Sequence, residues 1–137
     1  MTIVDDGAIL ATLQDAVAAA VAASTLPTLP VKYVGRSWAP PNDQKWLELI
    51  FIPNNRGDYW GDEQNYRGMF RMVLHWPNDD AGAYSPFAVV KSIAGYFSKD
   101  RVLQNVQIYD TPKSGGVLEE GAETLYPISL RYQSFRL

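Results

Sequence analysis

The strongest constraint on the fold of this 137-residue chain is the alternating pattern in residues 66–76. From position 70 onwards its even-numbered residues are all apolar, whereas its odd-numbered residues mix arginine, valine and histidine. A period of two is typical of a β-strand with one face in a core. A strand this long is expected inside a sheet rather than at its rim. The sequence therefore predicts a central strand that ends at Pro77 and that other elements must cover.

A first helix is predicted over residues 5–24, with Asp5 or Asp6 as its N-cap. Acidic side chains at this end also interact favourably with the helix dipole. The segment is rich in alanine and contains no proline, and Pro27 and Pro30 follow it. Apolar residues recur at helical spacing, which predicts one buried stripe; the stripe consists of Leu10, Leu13, Val17 and Val21, supported by Ile9 and Ala20.

A second helix is predicted to begin at Ser85 as N-cap, with Pro86 at the first helical position. Tyr84 is expected to pack against Val89 as a hydrophobic staple. The helix is expected to run to about Ser98. Its apolar stripe should lie on the sheet face that carries the even-numbered residues of the central strand. The residues of this stripe are Phe87, Val90, Ile93, Ala94 and Phe97.

Four further segments are candidate strands, and a turn is predicted at residues 113–116. The candidates are residues 31–38, which Gly35 interrupts, residues 46–52, residues 102–109, and residues 125–137 with a clear alternation. Residues 46–52 are apolar on both faces except at Glu48, which suggests helices on one side and a neighbouring subunit on the other. We predict one α/β (α+β) domain over residues 1–137. It has a single mixed, mostly antiparallel sheet of four to five strands with two helices packed on it.

Composition excludes several classes of protein. Twelve Lys plus Arg against fifteen Asp plus Glu give a net charge of −3, and the absence of a basic run argues against sequence-specific nucleic-acid binding. The absence of cysteine excludes disulfides, thiolate catalysis and cysteine-ligated zinc. The alanine-rich residues 16–23 resemble neither a signal peptide nor a membrane span.

The sequence contains few candidate catalytic residues. His75 is the one histidine and is expected to be a partly solvated packing residue on the mixed face of the central strand. The acidic pairs at positions 79–80 and 119–120 are expected to be solvated charges in turns. The sequence shows no nucleophile elbow, phosphate loop or second imidazole for a metal. We therefore expect no catalytic, cofactor or metal site, and interpret the chain as a binding or assembly module.

A polar loop at residues 53–65 carries adjacent aromatic residues, Tyr59 and Trp60. A loop of this length in a small domain is usually functional. One interpretation is that both rings fold back onto their own sheet; the other is that they insert into a neighbouring protein, together with Arg56. We predict that Tyr59 and Trp60 are interface anchors.

Several segments together resemble the tail terminator (tail completion) proteins of long-tailed, siphovirus-type bacteriophages. These are the alanine-rich first helix, the strand ending at Trp38, the Pro40-Pro41 pair before residues 46–53, residues 66–77, the helix ending at Phe97, and residues 126–132. The loop at residues 54–65 departs from the family, in which a shorter Gly-rich linker is common. Its role is therefore not carried over.

The resemblance implies a structural virion protein without enzymatic activity or cofactor. Such a protein assembles as a homo-hexameric ring on the head-proximal end of the tail tube, stops tube polymerisation and presents a surface for head–tail joining. Its partners would be the tail tube protein and a connector or stopper protein; the genome would pass through the ring, and no membrane is involved. Its location would be the virion tail or neck, and the host cytoplasm during assembly.

Contacts around a ring join two different patches of one subunit, and those patches must be complementary. Besides the loop residues, we expect Arg67, Arg71 and His75 on the mixed face of the central strand to take part. Three alternatives stay open: a head–tail connector or stopper protein, a non-viral α+β ligand-binding module, and a small enzyme whose site the sequence does not reveal.

Overall fold

Two helices and an eight-stranded sheet form the described part of the chain. The computed structural model describes residues 6–41, 45–54, 65–78, 85–104 and 106–135. The helices are α1 (Asp6–Ala22) and α2 (Pro86–Tyr96). The strands are β1 (Val31–Lys32), β2 (Trp46–Asn54), β3 (Asn65–Pro77), β4 (Val102–Leu103), β5 (Val106–Ile108), β6 (Lys113–Ser114), β7 (Leu118–Glu120) and β8 (Glu123–Phe135).

The sheet has the order β1-β2-β3-β8-β5-β4. β3 lies inside it, as predicted, and pairs along its length with β8 and along most of its length with β2. Only β1 and β2 pair in parallel, so the prediction of a mixed, mostly antiparallel sheet is confirmed. The far side of β8 is paired in turn by β7, β6 and β5.

The predicted count of four to five strands is wrong, because the short strands have no recognisable sequence pattern. Residues 102–109 form two strands, β4 and β5, instead of one. The predicted turn at residues 113–116 contains β6, and the acidic pair Glu119-Glu120 lies in β7 instead of a turn. A strand of two or three residues is too short to show a period of two. β5, β6 and β7 form because β8 offers an edge with which to pair, and β4 then pairs with β5.

The candidate strand at residues 31–38 is also shorter than predicted, since only β1 has strand geometry. Gly35 has a φ of +79°, a left-handed conformation that takes the chain out of the sheet. The backbone N–H of Val34 donates to the side-chain oxygen of Gln14 at 2.9 Å instead of to a strand. This bond ties the segment after β1 to helix α1.

One core lies between the helices and the inner face of the sheet. Its sheet side includes the predicted even-numbered residues of β3, and its α1 side follows the predicted stripe, except that Leu10 is only half-buried. The fully buried sheet residues include Leu47, Phe70, Met72, Leu74, Ile128, Leu130 and Tyr132. Both helices thus cover the same face, which leaves the other face of β2, β3 and β8 free of helices in the described part of the chain.

Helix α2 begins as predicted, although Ser85 makes no side-chain capping hydrogen bond. Ser85 has extended φ and ψ angles, and Pro86 follows at the first helical position. The prediction that Phe87 belongs to the buried stripe is wrong, since its side chain is 62% exposed and meets the ring of Tyr126 edge-on at 5.2 Å. Val89 is buried instead. Tyr84, the predicted staple, lies outside the described residues.

Candidate interaction surface

Alternate residues of β2, β3 and β8 form the helix-free face of the sheet, here called the outer face. Their register places them side by side across the three strands, and none of them belongs to the core beneath the helices. The outer-face residues are Trp46, Glu48, Ile50 and Ile52 on β2, Arg67, Met69, Arg71, Val73 and His75 on β3, and Glu123, Leu125, Pro127, Ser129, Arg131 and Gln133 on β8.

One end of the outer face is built around His75. Its ring stacks on Trp46 with 3.7 Å between centroids and an angle of 7°. Nδ1 lies 2.9 Å from Oε1 of Glu123, and Nε2 lies 3.0 Å from Oε1 of Glu48. Each ring nitrogen of His75 thus lies within hydrogen-bonding distance of one carboxylate. His75 is 7% exposed, so the prediction of a partly solvated residue is wrong.

Three arginines lie on the rest of the outer face: Arg67 and Arg131 at the opposite end, and Arg71 midway along β3. The guanidinium of Arg67 lies 5.6 Å from the centroid of the Tyr109 ring, a cation–π contact. The Nε–H of Arg71 donates to Oγ of Ser129 at 3.3 Å, which holds the guanidinium against the sheet. Arg131 is exposed.

Shallow concavities lie on the outer face, and two of them are lined by described residues. The first, of about 460 Å³, lies at the arginine end and is lined by Ile52, Pro53, Arg67, Gly68, Met69, Tyr109 and Arg131. The second, of about 360 Å³, is more apolar and is lined by Ile50, Arg71, Val73, Gly115, Gly116, Leu118, Leu125, Pro127 and Ser129. Ile52 is 43% exposed and Leu118 is 60% exposed. Exposed apolar side chains beside arginines are typical of protein–protein contact surfaces.

Beneath the arginine end, Tyr132 packs on Gly68 from the inner face of the sheet. A Cβ atom at position 68 would lie 2.7 Å from Cζ of Tyr132 and 2.8 Å from the backbone oxygen of Ile52, so only glycine fits. The Tyr132 side chain is fully buried, and its hydroxyl has no hydrogen-bond partner within the described ranges. Burial, with a smaller contribution from the charge of Asp6, raises the pKa of the Tyr132 phenol well above its usual value.

The structure brings Arg67, Arg71 and His75 to one face, as the sequence predicted, but places His75 at the other end from Arg67. The remaining predicted contact residues, Arg56, Tyr59 and Trp60, lie outside the described residues. Sequence analysis missed three outer-face residues, Glu48, Glu123 and Arg131, and also Tyr109, which contacts Arg67 at the edge of that face. The alternation of residues 126–132 could have identified Arg131, whereas nothing local relates Glu48 or Glu123 to His75.

Within the described residues, no three histidine, aspartate or glutamate side chains gather into a group that could hold a metal ion. A search of the same residues finds no helix with the length and apolarity to cross a bilayer.

Comparison with known proteins identifies the family. The profile of the family described as "Phage tail terminator protein" matches residues 8–132. The chain belongs to this family. Members of the tail terminator family are structural proteins of the virion, so the chain is a component of a bacteriophage tail.

A structural comparison agrees with this assignment at the level of the fold. One solved structure matches with a TM-score of 0.78 and 25% sequence identity. The match covers 96% of either chain, so the two share the whole arrangement of helices and sheet. No curated protein matches the sequence significantly.

Proposed function

We propose that copies of this protein form a ring that caps the head-proximal end of the tail tube, stops tube polymerisation and provides the surface for head–tail joining. Membership of the tail terminator family supports this function. The structural observation that carries it is the outer face, where the long strands β2, β3 and β8 display apolar and charged side chains that no described helix covers. A rigid sheet face of this kind is suited to contact with other proteins.

The ring in this proposal is a homo-hexamer, in accordance with the family resemblance. The tail tube protein binds one rim, and a head–tail connector or stopper protein binds the other. The genome passes through the central opening, and assembly takes place in the host cytoplasm. The protein acts only by binding; no covalent chemistry is assigned to it.

Electron microscopy of phage particles made without this protein tests the proposal. Tails of abnormal length, restored to normal length when the protein is supplied from a plasmid, are the expected result. Tails of normal length without heads would instead identify a connector or stopper protein. A small molecule retained by the purified protein in native mass spectrometry, with normal tails in its absence, would favour a ligand-binding module.

A further inference from the structure

We infer that the outer face joins one copy of the chain to the next, with the basic end of one copy against the acidic end of its neighbour. The inference rests on the proposed ring and names the surface that builds it. The basic end consists of Arg67 and Arg131. The acidic end consists of Glu48 and Glu123 on the outer face, with Glu119 and Glu120 on the adjoining strand β7.

Charge is segregated along the strands of the outer face. Positions 67 and 77 of β3 mark the two ends, which at the rise of a β-strand are about 33 Å apart. The screening length at physiological ionic strength is roughly 8 Å. The two ends are therefore too far apart to neutralise each other within one subunit, and each can bind a surface of opposite charge. Arg71 lies midway between them, diagonally across from Glu48.

Neighbouring opposite charges do not remove this polarity. Lys32 lies 3.8 Å from Oε2 of Glu48, and His75 lies between Glu48 and Glu123, but Glu119 and Glu120 on β7 are exposed. At the other end, Lys113 and Asp110 form a pair at 3.8 Å that contributes little net charge.

A second copy of the same chain satisfies both ends at once. A nucleic acid would be repelled by the acidic end, and a uniformly acidic partner would match only the arginines. The apolar residues between the ends, chiefly Ile50, Ile52 and Leu118, add the desolvated area that a charged contact alone lacks.

The contact we infer is offset, so that each copy uses its basic end towards one neighbour and its acidic end towards the other. An offset contact is heterologous and continues from copy to copy until a ring closes. A two-fold stack of two outer faces would use both ends in one contact and would stop at a dimer.

Two double variants with reversed charges test the inference in cells infected by a phage that lacks the gene for this protein. The basic-end variant carries Arg67→Glu and Arg131→Glu, and the acidic-end variant carries Glu119→Lys and Glu120→Lys; all four side chains are exposed. Lys91→Glu with Lys99→Glu, exposed residues in and just after α2, is the matched control. Thermal melts confirm that each variant folds. Tail length and phage titre are then measured with each variant alone and with both reversed variants together.

We expect each reversed variant alone to lose at least tenfold in phage titre, while the control behaves like the parent. Co-expression of the two variants should restore normal tails, because alternating copies bring opposite charges together at every contact. Sedimentation of the purified parent protein, or of isolated tails that carry it, should show that more than two copies of the chain assemble together.

Three results would overturn the inference while the proposed function stands: variants that support phage growth singly, no rescue on co-expression, or a parent assembly of only two copies. A parent protein that does not restore tail length in the deletion background would instead refute the proposed function itself.

Discussion

Replacement of Tyr132 by phenylalanine is expected to stabilise the protein. The hydroxyl is buried and has no partner among the described residues, and a buried polar group without a partner costs roughly 1–3 kcal/mol. Phenylalanine keeps the ring that packs on Gly68 and removes only the oxygen. After allowance for the small contacts that the oxygen makes, we expect a gain of about 1 kcal/mol, which is a rise in Tm of about 3 °C for a domain of this size.

The stability gained by Tyr132→Phe should depend on pH, and the sign of this dependence follows from the pKa of the Tyr132 phenol. Burial raises the folded-state pKa of Tyr132 above the ordinary tyrosine value of 10.0. The stability contributed by the neutral phenol is therefore complete below about pH 10 and is lost as the pH rises above that value. Tyr132→Phe has no such loss, so its advantage over the parent should widen above pH 10.

Urea unfolding at pH 7 and at several values above pH 10 measures both effects. Tyr96→Phe is the matched control, because Tyr96 is only half-buried. A Tyr132→Phe variant that is less stable than the parent by 1 kcal/mol or more at pH 7 would show that the hydroxyl makes a stabilising hydrogen bond. That result would refute the reasoning.

Three other predictions concern packing and assembly. Gly68→Ala should cost about 1–3 kcal/mol, because its Cβ would lie 2.8 Å from a backbone oxygen of the neighbouring strand; a melt unchanged from the parent would contradict this. Leu74→Ala should cost about 2–5 kcal/mol by opening a cavity under the helices, while Arg71→Ala on the outer face should cost far less, and the reverse order in thermal melts would mean that the two faces are misassigned. The double variant Tyr59→Ala, Trp60→Ala should melt like the parent yet lose tail capping, since truncation of an aromatic anchor costs ~2 kcal/mol of association or more; early unfolding would place these residues in the core.

The long elements of this fold could be predicted from sequence because their signals are local. The alternation in residues 66–76 identified β3 and its buried face, and the alternation in residues 125–137 identified β8. The start of α2 at Ser85 and Pro86 was likewise recognisable from neighbouring residues. In each case the period of the side chains relative to the backbone determines which face is buried.

The short elements and one helix residue required the tertiary structure. β6 and β7 have no pattern of their own and exist because β8 offers an edge with which to pair. Phe87 has helical spacing, yet its side chain is largely exposed and Val89 is buried instead, so spacing alone predicted burial wrongly.

The sequence by itself determined the family, the two helices, the long strands and the mixed polar and apolar character of the odd-numbered residues of β3. Only the tertiary structure brought Glu48 and Glu123 to either side of His75 and placed them at the opposite end from Arg67 and Arg131. These residues lie far apart along the chain, and their proximity depends on the register of β2 and β8 against β3. Register is set by packing of the whole buried face, so no local pattern in the sequence could reveal which charges share an end of the sheet.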